Sequence, residues 1–434
     1  SLVERQNLAL PRDAWGVVGE FGLTIAPNSS DGPIEAIFTP GQPLAATPLY
    51  LLGRTVAAFF PAVDRGYITR FFVGLLGSVA TAATVALLYR CARALGYRGG
   101  AALGLAAVYG LATTAWPHGR TFLAEPLTAL LLLLSFYGLL RAAVPAASAA
   151  DAPPSAPRVP VPPVYSGAAA VAAVLVKPHA VIALVPLGCY ALWLAARRWR
   201  ADRRGALGLL AAWALGGALP LVAFALFNVW LYGTPVRLGY GNWPLALFNT
   251  PFLKGLYGLT LSSGKGIVWY APPIVLAVAG AWGFSRRHRA EALVCFAIVA
   301  IHLLFYSRWR FWHGDWIWGP RFLLIALPFA MLPAAALLEG LRARRLRLAL
   351  VSLVVVAGLG VGLLGAGMNF AWPIVRSQDA EARFFSPAAA PLLSHAQMAL
   401  ARTVSWRAQA FPARDTALLA AGFDRGEGVG DVLF

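Results

Sequence analysis

The sequence predicts an all-α polytopic membrane protein, with about ten transmembrane or short membrane-inserted helices and an extracytoplasmic loop face. Three observations predict it. Hydrophobic residues fill 59% of the 434 positions and charged residues only 12%, against roughly 45–50% and 25% in a soluble domain. Apolar runs recur at lengths of about 17–25 residues, which a helix needs to cross ~30 Å of hydrocarbon. The runs do not alternate polar and apolar residues as barrel strands do. Helices then remain as the way to pair every backbone N–H and C=O inside a bilayer.

Residues 1–43 are polar and turn-rich, with Pro11, the Pro27-Asn28-Ser29-Ser30-Asp31-Gly32-Pro33 cluster and Pro40-Gly41, so they read as a loop. Residues 44–62 are apolar but interrupted by Pro48, Gly53 and Arg54, which suits a helix lying in the interface. Spans are expected at about 68–90, 98–115, 122–141, 166–176, 179–195, 207–231, 267–284, 291–306, 321–339 and 348–369. Lys177-Pro178-His179 separates the fourth from the fifth. Proline there removes a backbone donor and pushes residue 177 out of the helical region. A hairpin of short helices and one long kinked helix both satisfy this, and the hairpin keeps the charge pattern consistent. The chain divides into a first extracytoplasmic loop with its interfacial helix (1–66), a transmembrane domain (67–370) and a small extracytoplasmic C-terminal region (371–434). No apolar run precedes residue 44, so the chain reads as N-terminally truncated, its first anchoring helix lying upstream.

A net charge of +18 raises the possibility of nucleic acid, but the positions of the arginines exclude it. They cluster between apolar runs: Arg90, Arg93 and Arg98; Arg141 and Arg158; Arg197, Arg198, Arg200, Arg203 and Arg204; Arg286, Arg287 and Arg289; Arg342, Arg344, Arg345 and Arg347. Five basic connections alternate with less basic ones, and by the positive-inside rule the basic set is cytoplasmic. Cys91, Cys189 and Cys295 sit in or beside apolar segments and read as small core residues rather than a disulfide or metal framework.

Chemistry concentrates on the other side. The run Ser307-Arg-Trp-Arg-Phe-Trp-His-Gly-Asp-Trp-Ile-Trp-Gly-Pro-Arg321 holds three arginines where the topology rule disfavours them. Guanidinium groups bind phosphate bidentately and aromatic faces stack on sugars; an aromatic belt with arginines snorkelling to lipid is the plainer reading. In Trp116-Pro-His-Gly-Arg-Thr-Phe-Leu-Ala-Glu125-Pro126, Glu125 is either a helix-start acid or a functional acid at the membrane boundary beside His118 and Arg120. Lys177 either snorkels or binds an anionic headgroup. Lys265, in Ser262-Ser-Gly-Lys-Gly266, either is solvated in its loop or serves the same face. That stretch is not a P-loop, and no zinc spacing or Gly-x-Ser-x-Gly elbow is present.

Four stretches carry a resemblance to a known family. Ser1-Leu-Val-Glu-Arg-Gln-Asn-Leu-Ala-Leu10, with Phe38-Thr-Pro-Gly-Gln-Pro-Leu44 and Pro48-Leu-Tyr-Leu-Leu-Gly53, is similar to a first large external loop. Gly119-Arg-Thr-Phe-Leu-Ala-Glu-Pro126 resembles an acidic motif, Val176-Lys-Pro178 the basic residue between short helices, and Trp312 to Arg321 a Trp-rich segment that opens a late span. In this order they resemble the GT-C superfamily of polyprenyl-phosphate-dependent glycosyltransferases, the group of the protein O-mannosyltransferases and the lipid A aminoarabinose transferase. The resemblance implies inverting transfer of a sugar from a polyprenyl-phosphate donor to a lipid, glycan or protein acceptor, on the outer face of the inner (plasma) membrane. It implies Glu125 as the acid, serving catalysis, acceptor positioning or a divalent cation (Mg or Mn). Lys177, Arg321 and Arg120 would then bind donor phosphate, and Trp312, His313, Asp315 and His118 the sugar or acceptor. The family's first acidic residue has no matching context here, although Glu4, Asp13 and Glu20 lie nearby. A transporter or flippase for a lipid-linked or anionic solute is the competing class, disfavoured by the near absence of mid-span charge. A noncatalytic assembly subunit is a third.

Overall fold

The computed structural model describes residues 39–143, 161–235, 247–314, 317–343, 345–368 and 380–408. The Ser1–Leu10 stretch with Glu4, the acids Asp13 and Glu20, Arg158, Asp315, Trp316 and Arg344 lie outside the described residues. Among the described residues every regular element is helical. The helices are α1 (Gly41–Ala57), α2 (Arg65–Ala94), α3 (Gly99–Ala112), α4 (Ala115–Gly119), α5 (Ala124–Ala143), α6 (Val161–Val176), α7 (Val181–Trp199) and α8 (Arg203–Tyr232). There follow α9 (Phe252–Thr260), α10 (Ile267–Tyr270), α11 (Ile274–Arg287), α12 (Arg289–Arg308), α13 (Leu327–Met331), α14 (Ala334–Glu339), α15 (Arg345–Gly367), α16 (Ala380–Phe385) and α17 (Pro391–Ala408).

Six helical stretches among the described residues are long and apolar enough to cross a membrane: Arg65–Ala94, Ala124–Ala143, Pro178–Trp199, Arg203–Trp230, Arg289–Arg308 and Arg345–Gly367. The protein is multi-pass. Gly99–Ala112, Val161–Val176 and Leu327–Glu339 are apolar but shorter. The run expected at 267–284 breaks into α10 and α11 at Pro272-Pro273, and the run at 321–339 becomes a 3₁₀ turn (Arg321–Ile325), α13 and α14. Proline supplies no N–H and cannot continue a helix, so length in sequence overstated length in space. Cys91 and Cys295 are buried, but Cys189 is exposed on α7, a correction to its reading as a core residue.

Helices α6 and α7 form the hairpin. A 3₁₀ turn (Pro178–Ala180) separates them. At the far end, Gly138 of α5 lies against the Pro162 carbonyl that opens α6, and Arg198 at the end of α7 donates to the carbonyl of Ala142. Both open ends of the hairpin therefore meet the last turns of α5, and its bend lies beside the first turn of α5. Helix α8 then runs back alongside α6 at very close range. A Cβ on Gly167 would stand 1.8 Å from the Trp213 carbonyl oxygen, and one on Gly216 1.9 Å from that of Val164. Small residues let membrane helices approach until backbones touch. Ser166 fastens the seam, donating to the Ser135 carbonyl (2.7 Å) and accepting from Trp213 Nε1 (3.2 Å).

The basic connections gather at one end. Arg287 pairs with Glu339 at 2.6 Å and donates to the Gly96 carbonyl, and the Arg98 backbone N–H donates to the same carboxylate. Tyr190 of α7 donates to Glu291 of α12 at 2.7 Å. The Arg198–Ala142 contact likewise joins the ends of α5 and α7, so these connections meet their neighbours in pairs, and Tyr190–Glu291 bridges α7 and α12. Glu125 begins α5 at the opposite end from Arg141.

Gly167→Leu or Gly216→Leu should force α6 and α8 apart and lower the thermal midpoint in detergent sharply, or abolish folded yield. Gly208→Leu should be nearly silent, because a Cβ at Gly208 meets nothing within 4 Å. Fluorescence-detected size exclusion on heated samples reads all three.

Candidate functional site

The site assembles at the bend of the α6–α7 hairpin. Pro178 stops the helix, and Lys177 takes an extended conformation (φ −146°, ψ 109°) at the break, which aims its side chain across to the first turn of α5. There its Nζ donates to Glu125 Oε1 at 2.6 Å. Arg321, at the start of a 3₁₀ turn after Gly319-Pro320, brings its Nε to 3.8 Å from the same oxygen. The side-chain exposures rise outward, from 2% for Glu125 to 11% for Lys177 and 20% for Arg321. Three segments remote in sequence thus converge on one carboxylate oxygen.

Backbone packing holds the break in place. Thr39 donates to the Val176 carbonyl, Gln42 to that of Phe122, and a Cβ on Gly41 would collide with the Leu175 carbonyl. The segment leading into α1 is therefore built into the site's wall. On the other side, Gly314 has φ +67°, and a Cβ there would meet Arg321 Cγ at 2.8 Å. Only glycine serves both demands at once, a left-handed backbone and room for the arginine stem.

The two cations also share an aromatic ring. Lys177 Nζ lies 5.0 Å and Arg321 Cζ 4.8 Å from the Phe322 centroid. Tyr306 stacks on that ring at 4.6 Å with an interplanar angle of 4°. His179 completes the surround, touching Phe305, Tyr306 and Trp309. Sequence reasoning missed Phe322 and Tyr306. The available signal was the adjacency of Phe322 to Arg321, but in a chain with 24 Phe and 13 Tyr adjacency singles out nothing.

His118, in the short helix α4, is fully buried, and neither ring nitrogen makes a hydrogen bond, although the Trp318 backbone is close enough to favour its protonation. It feels the charges of Glu125, Arg321 and Lys265. Burial is the main cause that pushes its pKa down to about 4, Arg321 and Lys265 acting in the same direction. Lys265 is 1% exposed and donates to the Ile317 carbonyl, so of its two readings solvation in the loop is the one that falls; it is a buried cation of this region. Lys177 does not snorkel; it is buried in an ion pair.

The remaining expected residues go elsewhere. Arg120 donates to the Ala366 carbonyl at the end of α15, where a cation suits the exposed carbonyls and the helix dipole. Trp312 is buried against Gly258, Phe384 and Phe385, and His313 stacks on Phe384 at 4.7 Å. They form an aromatic cluster with the C-terminal region rather than a wall around Glu125. That region packs firmly: the Gly264 N–H donates to the Phe384 carbonyl, and His395 lies edge-on to Trp318 at 4.8 Å. Asp315 lies outside the described residues. Among the described residues no group of three His, Cys, Asp or Glu stands together. Glu125 faces two cations, a donor set that repels a divalent ion rather than holding one. The described residues do not fit a Mg or Mn site.

Lys177→Met should leave the Glu125 charge buried and unpaired on its tightest side, a loss of about 3–5 kcal/mol. Glu125→Gln combined with Lys177→Met should recover part of it, measured as a double-mutant cycle of denaturation in detergent. His118 gives a pH signature. Its folded pKa lies below the unfolded value of 6.5, so between pH ~4 and ~6.5 the unfolded chain binds the extra proton. Stability contributed by neutral His118 is full above that window and falls as pH drops through it, and His118→Gln should flatten this part of the pH–midpoint curve.

No protein-family model matches the chain, and no curated protein matches it in sequence. Two solved structures are similar to it. One is the Archaeoglobus fulgidus oligosaccharyltransferase in the apo form, at 11% identity and a TM-score of 0.44, covering 80% of this chain and 51% of that one. The other is the archaeal oligosaccharyltransferase AglB from Archaeoglobus fulgidus in complex with an inhibitory peptide and a dolichol-phosphate, at 13% identity and a TM-score of 0.42, with the same coverage. The chain spans about half the length of each.

Proposed function

We propose that the protein is a GT-C type glycosyltransferase that moves a sugar, with inversion, from a polyprenyl-phosphate donor to an acceptor at the outer face of the plasma membrane. The observation that carries this reading is the convergence of Lys177 and Arg321 on Glu125 Oε1, at 2.6 and 3.8 Å, at the end of the bundle away from the arginine-rich connections. Because both cations reach one oxygen, they cannot be farther apart than those two distances end to end. One phosphate group can bridge that spacing.

A lipid-linked donor needs its charged group at the membrane boundary and its chain in hydrocarbon, and the site stands where the α5 and α7 spans begin. In the reaction the anomeric carbon–oxygen bond to phosphate breaks while the acceptor oxygen bonds to that carbon, and charge develops on the departing phosphate. Preorganised cations aimed at that charge lower the barrier. Arg321, the most exposed of the three, meets the phosphate first and Lys177 follows. Glu125 is their resident counter-ion, keeping two like charges side by side in the empty site. As the donor phosphate replaces it as their partner, the carboxylate stands beside the reacting centre and is placed to take the acceptor's proton. The basic connections lie at the opposite end of the bundle, the end that the positive-inside rule favours for the cytoplasm, and this supports the outward reading of this face.

Transfer of radiolabelled sugar from polyprenyl-phosphate donors to membrane acceptors tests the reading. Arg321→Ala should lower kcat/KM about 10²–10³-fold, and Glu125→Gln should lower it comparably with folding retained. If folded protein transfers nothing from any donor yet moves a lipid-linked solute across liposomes, the protein is a transporter instead.

A further inference from the structure

We infer that Phe322 is a positioning residue, the ring that holds Lys177 and Arg321 in phosphate-binding register when their carboxylate partner gives way. The inference rests on the phosphate-binding reading of the site. Arg321 reaches Glu125 only at 3.8 Å, longer than a hydrogen bond, while its guanidinium carbon lies 4.8 Å from the Phe322 centroid. Lys177 Nζ lies 5.0 Å from the same centroid. One ring therefore serves two like charges that would otherwise repel, and its negative face attracts both. Long cationic side chains lose much rotamer freedom when fixed, and a bound anion that must itself impose the order binds less tightly.

The ring is in turn immobilised. Phe322 is 6% exposed and Tyr306 fully buried against it in a parallel stack. Tyr306 meets Phe305 edge-on at 5.1 Å, and both touch His179, two residues after Lys177. The stack thus ties α12 to the hairpin bend and to the Arg321 turn, the two segments that supply the cations. Glu125 alone cannot provide this register during turnover, because a phosphate competes with it for both partners. The ring is uncharged and does not compete.

A fluorinated series tests this without changing shape. Mono-, di- and trifluorinated phenylalanine at position 322 progressively drain the ring's negative face. The probe is farnesyl phosphate, titrated calorimetrically into the full chain in detergent, with Phe322→Leu and Phe322→Trp alongside. Affinity should fall stepwise with each fluorine. Phe322→Leu should lose about tenfold or more, Phe322→Trp should stay within about threefold of wild type, and thermal midpoints should stay constant across the fluorinated set. Equal affinity across that set would overturn the inference, because a merely structural ring is indifferent to fluorine. If wild-type protein does not bind farnesyl phosphate, the phosphate reading falls and the role of Phe322 falls with it. If binding follows the fluorine trend but no sugar is transferred, the positioning role stands and the transferase reading is the one lost.

Discussion

The ion pair between Glu125 and Lys177 is the constraint around which the end of this bundle away from the arginine-rich connections is arranged. Both groups come from helix ends at the edge of apolar spans, and burying either alone is prohibitive. Their 2.6 Å contact therefore fixes the first turn of α5 against the break between α6 and α7. A buried pair of this kind adds little net stability over an apolar substitute, because desolvation offsets most of the Coulomb attraction. What it secures is register. The α6–α7 bend cannot slide along α5 without separating the charges, and the contacts of Thr39, Gln42 and Gly41 with residues 122, 175 and 176 fit that one register.

The fold was legible in the sequence wherever a single physical requirement acted alone. Arginine clusters between apolar runs marked the connections, and the structure joins them in pairs, Arg287 to Gly96 and Arg198 to Ala142. Pro178 marked the hairpin. Legibility failed where two requirements competed. The stretches 267–284 and 321–339 are apolar enough to span, yet Pro272-Pro273 and Pro333 interrupt their backbone hydrogen bonding. The resulting short pieces pack against one another, as where Gly280 of α11 meets the Pro333 carbonyl.

The candidate site divides the same way. Glu125, Lys177 and Arg321 were visible because an ionisable group beside a long apolar run is costly and must find a partner. What sequence could not show was which partner each one found. Arg120 and Arg321 both flank apolar segments, yet Arg120 closes the C-terminus of α15 while Arg321 turns inward. Gly314 decides part of this, since its left-handed backbone and missing Cβ admit the Arg321 stem. For Lys265, among Ser262, Ser263 and two glycines, loop solvation and a role on this face were equally open, and the C-terminal region covers that loop through the Gly264–Phe384 backbone bond. Phe322 and Tyr306 had no distinguishing signal, because aromatic residues in a membrane protein are chosen for burial as often as for their ring electrostatics.

The exposure gradient across the site gives these choices a common logic. Glu125 is the deepest group and the only anion of the three, so it lies where water least screens its attraction for the cations. Arg321 is outermost, and its planar fork suits an incoming phosphate better than an ammonium does. Reversed, with the carboxylate outermost, the same three residues would repel an anionic ligand at its point of entry. The order of burial is thus itself a property suited to anion binding. It follows from which residue begins a span, which sits at a hairpin bend and which opens a 3₁₀ turn after Gly319-Pro320.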